Sequence, residues 1–167
     1  MKSLLFKKAN VGADAVLVMI ILFFIALTGL FAVKMFNSFN DEVQSSDLLD
    51  TESKTMMGGL NTRLPGFLDG FFMFAFVLAW ILAIVASFLV DVHPAFAVVG
   101  FIVVFFIVMA GAIFSNIYSD TANNDQFSVF INDFTLTRAV MDNFAVYIVV
   151  VALSISLVLF GKARFGG

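Results

Sequence analysis

A histidine between an aspartate and a proline is the first place where this sequence could carry chemistry. The stretch SFLVDVHPAFAVV contains His93, the sole histidine of the chain, with Asp91 two residues before it and Pro94 directly after it. An imidazole can relay a proton or bind a metal ion near neutral pH. A zinc site needs two or three further donors, and the chain has no second histidine and no cysteine. The other interpretation of His93 is a structural residue of a turn.

The residues around His93 favour the turn. Long uncharged runs lie on both sides of residues 91–94. A link of four residues between two helices forces an antiparallel hairpin, and Pro94 moves the residue before it out of the α region. Asp91 and His93 can then hydrogen-bond the free backbone groups at the two helix ends. We therefore interpret Asp91, His93 and Pro94 as the turn of a tight helical hairpin and not as a reaction centre.

The composition predicts a protein that crosses a membrane several times. Hydrophobic residues make up 62% of the 167 residues and charged ones 13%, whereas about a quarter of the residues of soluble domains are charged. The mean hydropathy is +1.06. The absence of cysteine excludes disulfides, thiolate metal sites and cysteine nucleophiles. A net charge of −3 argues against a broad nucleic-acid surface, so the lipid bilayer is the expected partner.

Four apolar runs predict an all-α, polytopic integral membrane protein with a single membrane domain. Their transmembrane helices are expected at about residues 13–36, 67–90, 95–118 and 140–161, since a span requires about 20 apolar residues. Residues 91–94 make the second and third helices the tight central hairpin. Lysine and arginine are denser near the two chain ends than in the central segments. Because cytoplasmic flanks carry such an excess, we expect both termini on the cytoplasmic side.

Two polar segments connect the predicted spans. Residues 37–66 contain five acidic side chains and are predicted as an acidic loop on the side opposite the termini. Phe36, Phe39 and Val43 continue a helical stripe, so the first helix is expected to project beyond the bilayer. MMGGLNTRLPG predicts a flexible return, with Pro65 in the first turn of the second helix.

The second polar segment predicts a short amphipathic helix over about residues 124–137. Phe127, Phe130, Ile131 and Phe134 follow the spacing i, i+3, i+4, i+7, with polar residues between them. An aromatic face next to a span favours a helix that lies in the membrane interface. The alternative is a helix that docks on a neighbouring protein.

Small residues recur on the predicted second helix. Ala75, Ala79, Ala83 and Ser87 are spaced by four residues, a pattern that lets helix backbones approach closely inside a membrane. Gly100 and Gly111 offer similar notches on the third helix. These six residues are the predicted helix-packing positions. Phe76 and Leu82 are the candidates for the lipid-facing side of the second helix.

The spans show no pattern that predicts catalysis or ion transport. Ionisable residues inside a bilayer are usually functional, but those of this chain fall near the predicted span ends, with Asp69 at the start of the second helix. The chain contains no GxSxG, HExxH or P-loop pattern. We therefore expect a non-enzymatic protein without a catalytic residue, a metal ion or a cofactor.

Three stretches, LPGFLDGFF, SFLVDVHPAF and IFSNIY, carry a resemblance over residues 64–118. With their Leu-Pro entry, His-Pro corner and Ser-Asn-x-Tyr exit, they resemble the small multi-span membrane proteins of tailless icosahedral viruses with an internal membrane, of the corticovirus, tectivirus and finnlakevirus kind. The resemblance implies a component of the virion internal membrane that lies beneath the capsid. It implies binding to capsid proteins or shaping of the vesicle, and transfers no site residue.

The expected function is that of a structural membrane protein that packs laterally with itself or with other membrane or capsid proteins and supports capsid–membrane assembly. A phage holin is the first alternative, because holins share the small size, several spans and a short basic tail. Holins lyse cells on expression. An accessory subunit of a membrane complex is the second alternative, and it would co-purify with cofactor-bearing subunits.

Overall fold

Helices are the only regular elements in the part of the chain that the structure describes. The computed structural model describes residues 11–89 and 96–165. The α-helices are α1 (Val11–Ser45), α2 (Thr51–Leu89), α3 (Phe96–Ala122), α4 (Thr135–Asp142) and α5 (Phe144–Phe165), and a short 3-10 helix (Ile131–Asp133) precedes α4. Val16–Ser45, Thr51–Phe88 and Ile102–Ala122 are long and apolar enough to cross a membrane. A fourth span is present if α4 and α5, which are bent by 77°, count as one.

The four long helices form a bundle in which the order around the axis is α1, α2, α5 and α3. Within the described residues, α2 packs against α1 and α5, and α3 packs against α5 and α1. The short α4 contacts α2 and α3 at one end of the bundle. The predicted α2–α3 turn, with Asp91, His93 and Pro94, lies outside the described residues, so the tight hairpin stays a prediction.

The core of the bundle follows helical periodicity. On α1, the buried side chains are Met19, Leu22, Phe23, Ala26, Leu30 and Val33. Their spacing of three and four residues places them on one face of the helix. The remaining faces of the bundle expose large apolar side chains, among them Phe24, Leu78, Phe106 and Leu153. An apolar exterior around an apolar core is the surface that a bilayer requires, and the helices are compatible with membrane insertion.

The predicted acidic loop 37–66 is wrong, because most of this segment is helical. Helix α1 continues to Ser45 and α2 begins at Thr51, which leaves a connection of five residues. The first helix continues beyond its apolar run, and its projection beyond the bilayer stays a prediction. The predicted second span, 67–90, is therefore the C-terminal part of a helix of 39 residues. Pro65 lies inside that helix and not in its first turn.

Side-chain hydrogen bonds explain why the polar segment is helical and not a loop. Asp50 caps α2, since its Oδ1 accepts a hydrogen bond of 2.9 Å from the Ser53 backbone N–H. Gln44 Nε2 donates to the Lys54 carbonyl oxygen at 2.8 Å. Asn61 Nδ2 donates to Asn37 Oδ1 at 2.5 Å. These bonds join α1 to α2 beyond the apolar runs, so the two helices continue together as a hairpin. We call residues 34–66 the arm.

The predicted amphipathic helix 124–137 is also wrong. Turns occupy residues 123–130, the 3-10 helix follows, and α4 starts only at Thr135. The apolar face of this segment lies against the bundle: Phe127, Ile131 and Phe134 are buried, and Phe130 is half-buried against the core. Packing against α1 and α2 buries the aromatic side chains, so the segment does not need a continuous helix along the membrane surface to remove them from water.

The predicted fourth span, 140–161, is divided at Asn143. Helix α4 ends at Asp142, and α5 begins at Phe144 and continues to Phe165. Ser115 Oγ of α3 donates a hydrogen bond of 3.0 Å to the Asp142 carbonyl oxygen. The Asn143 carbonyl oxygen accepts from the backbone N–H groups of Val146 and Tyr147 at the start of α5. These bonds stabilise the bend, so α4 and α5 are separate helices.

Candidate functional site

A buried carboxylate connects the middle of α2 to the start of α4. Asp69 is 6% exposed. Its Oδ1 accepts a hydrogen bond of 2.6 Å from the Thr137 backbone N–H, and its Oδ2 accepts one of 3.0 Å from the Leu136 backbone N–H. The residue that precedes α4, Phe134, makes no side-chain cap. Asp69 therefore supplies from another helix the acceptor that the first turn of α4 would otherwise lack.

The position of Asp69 follows from the buried stripe of α2. Pro65, Asp69, Phe72 and Phe76 are buried and succeed one another at intervals of four, three and four residues. They share one face of the helix, which is directed into the bundle. The predicted position of Asp69 at the start of the second helix is wrong, because α2 begins 18 residues earlier, at Thr51.

Two buried hydroxyl groups belong to the same end of the bundle. Thr137 on α4 is 1% exposed and Tyr118 on α3 is fully buried. Neither Thr137 Oγ1 nor the Tyr118 hydroxyl has a hydrogen-bond partner among the described residues. Unpaired buried hydroxyls are uncommon because each one loses its hydrogen bonds to water. These two groups retain hydrogen-bonding capacity that the described chain does not use.

Aromatic side chains fix the segment before α4 to the bundle. The Phe134 ring lies over Gly29 of α1, where an added Cβ atom would lie 3.4 Å from ring atom Cε1. The Phe127 ring makes an edge-to-face contact with Phe31 of α1, with 5.0 Å between the centroids. Gly29 thus leaves space for the side chain of Phe134, and it does not serve as a contact point for the backbone of another helix.

Lys34 makes the polar contact between α1 and the same segment. Its Nζ donates a hydrogen bond to Gln126 Oε1 and lies 5.1 Å from the centroid of the Phe127 ring, within the range of a cation–π interaction. Lys34 ends the apolar run of α1. This contact therefore places the connecting segment at the boundary between the apolar bundle and the arm.

The predicted small-residue ridge lies at the flank of the buried face of α2. Ala75, Ala79 and Ala83 are half-buried, and Ala75 packs against the core. Ser87 is buried, and its Oγ donates to the Ile84 carbonyl oxygen of its own helix at 2.6 Å. The close helix approach predicted for the ridge stays a prediction.

Two residues that sequence reasoning considered for the lipid side differ in the structure. Leu82 is 57% exposed, whereas Phe76 is 5% exposed. The Phe76 ring makes an edge-to-face contact with Tyr147 of α5, at 5.6 Å between centroids. The assignment of Phe76 to lipid is therefore wrong, because its position on the Asp69–Phe72 stripe directs it to α5. The i, i+3, i+7 spacing of Asp69, Phe72 and Phe76 is the signal that could have identified this face.

Gly111, one of the predicted packing residues, lies where α3 closely approaches α5. This buried glycine of α3 faces α5: an added Cβ atom would overlap Ile148 Cδ1 and would lie 3.5 Å from Ala145 Cα. A side chain at position 111 would therefore require α5 or Ile148 to move. Gly100 belongs to α3, but its surroundings lie outside the described side chains.

The geometry of the Asp69 site positions the start of α4. Both carboxylate oxygens accept backbone N–H groups, so they stabilise the positive end of α4. Among the described residues, no group of three or more His, Cys, Asp or Glu side chains could hold a metal ion. The chain matches no protein-family model, no curated protein and no solved structure.

Proposed function

We propose that this protein is a non-enzymatic structural component of a membrane, in which the helical bundle is the anchor and the arm binds a partner protein. The single observation that carries the proposal is the arm itself. From Lys34 to Ser45, α1 continues for about 17 Å at 1.5 Å per residue, and α2 runs beside it. The arm continues beyond the uncharged runs of the two helices, which are residues 15–33 and 70–90.

The tip of the arm has the properties of a protein-binding surface. Leu48 is 95% exposed, and Leu49 and Met56 are also exposed. Exposed apolar side chains rimmed by polar residues mark interaction sites. Residues 37–66 carry five acidic and two basic side chains, which gives this segment a net charge of −3. The partner that fits is a protein with an apolar socket and a basic rim.

The proposed location rests on the resemblance and on the distribution of basic residues. The resemblance supports the internal membrane of a virion. With both termini on the cytoplasmic side, the arm lies on the opposite side of the membrane. In a virion that keeps the cytoplasmic leaflet toward its shell, the termini would face the capsid and the arm would face the enclosed space.

A comparison of two surface variants tests the proposal. Leu48→Ser removes the most exposed apolar side chain of the tip, and Val129→Ser makes the same kind of change at a position that is 73% exposed outside the arm. We expect both variants to insert and fold like the wild type. Leu48→Ser should lower the amount of the protein recovered in purified particles or membrane complexes, and Val129→Ser should not.

Equal recovery of Leu48→Ser, Val129→Ser and wild type would refute the proposed role of the arm. Cell lysis on expression of the wild-type chain, without its recovery in particles, would identify a holin instead. Co-purification with cofactor-bearing subunits would identify an accessory subunit of a membrane complex.

A further inference from the structure

An apolar hollow lies between the two helices at the base of the arm. Its volume is about 330 Å³, and it is lined by Phe36 of α1 and by Leu60, Arg63, Leu64 and Phe67 of α2. The four α2 residues follow the spacing i, i+3, i+4, i+7, so they share one helix face. The hollow is an open depression on the surface of the helix pair and not an enclosed cavity.

The hollow lies where the uncharged runs of α1 and α2 give way to polar sequence. On α1, Phe36 follows Lys34, which ends the uncharged run of that helix. On α2, Phe67 precedes the uncharged run that begins at Gly70. Both helices therefore pass from apolar to polar sequence beside the hollow. Phe67 is 69% exposed, so its ring offers apolar surface to a ligand in the hollow.

Arg63 supplies the charge of the site. It is exposed, and it makes no ion pair among the residues whose side chains the structure describes. The nearby cation Lys34 is held by Gln126 and Phe127. On α2, the acidic residues on either side of Arg63 are Glu52, 11 residues away, and Asp69, six residues away. Both Asp69 carboxylate oxygens accept backbone N–H groups of α4.

We propose that this hollow binds an anionic phospholipid, with the phosphate on the Arg63 guanidinium and an acyl chain between Phe36, Leu60 and Phe67. The guanidinium fork matches two phosphate oxygens. An apolar hollow with one cation at its edge is complementary to an amphiphile with an anionic head. A zwitterionic lipid brings its own ammonium group, which competes with Arg63 for the phosphate, so it binds more weakly. The site is independent of any partner at the tip of the arm.

Native mass spectrometry of the full chain in detergent tests the site, with phosphatidylglycerol and phosphatidylcholine as probes. The wild type should prefer phosphatidylglycerol by about tenfold, which is the contribution of one hydrogen bond to a charged group. Arg63→Gln should abolish this preference. Arg63→Lys, which keeps the charge but not the fork, should retain part of it. Lys54→Gln removes a cation from the same helix outside the hollow and should leave the preference unchanged.

A second variant tests the apolar half of the site. Leu60→Trp fills the hollow and should weaken the binding of both lipids by about tenfold or more, while the thermal unfolding of the protein stays unchanged. A preference that survives in Arg63→Gln would overturn the proposal. So would an equal loss in Lys54→Gln, because net charge would then explain the effect. Unchanged lipid binding by Leu60→Trp would show that no acyl chain occupies the hollow.

Discussion

The Asp69 carboxylate lies 2.6 Å from the Thr137 backbone nitrogen, although 68 residues separate the two in sequence. This hydrogen bond, together with the one to Leu136, joins α2 to the first turn of α4. The connecting segment before α4 is fixed by Phe134 against Gly29 and by Phe127 against Phe31. The end of the bundle below the arm is therefore held by contacts that are distant in sequence.

Replacement of Asp69 should loosen α4. Asp69→Ala leaves the buried Thr137 N–H and the part-buried Leu136 N–H without an acceptor, and we expect a loss of about 1–3 kcal/mol of unfolding free energy. Asp69→Asn retains one acceptor oxygen and should lose less. Asp120→Ala removes an exposed acidic side chain and serves as the control, with a change within about 0.5 kcal/mol. Unfolding in detergent measures all three, and similar stabilities of Asp69→Ala and Asp120→Ala would contradict the capping role.

Truncation of Phe134 should destabilise the whole bundle. This ring is 1% exposed, and its removal leaves a cavity against α1, so Phe134→Ala should lower the unfolding free energy by about 3–5 kcal/mol. Val129→Ala, on the same segment but 73% exposed, should change it by less than about 0.5 kcal/mol. The comparison distinguishes a segment packed on the bundle from one that lies in the membrane interface. In the interface, the two truncations would have similar effects.

The contact between Gly111 and Ile148 predicts a reversal of sign in a double-mutant cycle. Gly111→Ala should destabilise the bundle by about 1 kcal/mol or more, because the new methyl group overlaps Ile148 Cδ1. In an Ile148→Val background, which lacks that atom, the same change should be neutral or stabilising, since alanine favours a helix over glycine by about 1 kcal/mol. Gly70→Ala has open space around it and should be stabilising in either background. Thermal unfolding of the wild type, Gly111→Ala, Ile148→Val and the double variant provides the coupling energy between the two positions. A coupling energy near zero would show that α3 and α5 lie further apart at this point.

The cap at the start of α2 should depend on pH. Hydrogen bonds from the Ser53 side chain and backbone lower the pKa of Asp50. Because the folded-state pKa lies below the unfolded value, the stabilisation by this cap is present above the unfolded pKa and is lost as the pH falls through the folded one. The protection factor of the Ser53 amide, corrected for intrinsic exchange, should therefore fall in acid. Asp50→Asn keeps a good cap that does not titrate, so its protection factor should stay constant, and an equal acid response in both proteins would exclude Asp50 as the cause.

The sequence predicted the apolar helices well, because an uncharged run of about 20 apolar residues is typical of a helix that crosses a membrane. The polar segments were predicted less well. Composition made residues 37–66 resemble a loop, whereas the hydrogen bonds of Gln44 and Asn61 across the hairpin form only when both helices are present. The amphipathic spacing of Phe127 to Phe134 identified the buried face correctly as apolar but not its partner. The partner is the bundle itself. The hydrogen bonds between Asp69 and α4, which hold this segment in place, join residues that are far apart in sequence.

The exposure of the arm to water is the central claim, and spin labels can measure it directly because the chain has no cysteine. Single variants Leu48→Cys and Met56→Cys place a label on the arm, and Phe24→Cys and Leu78→Cys place one on the apolar exterior of the bundle. In reconstituted vesicles, the two arm labels should be more accessible to a water-soluble nickel chelate than to oxygen. The two bundle labels should show the opposite preference. A preference for oxygen at Leu48→Cys and Met56→Cys would contradict the account, because the arm would then lie within the bilayer.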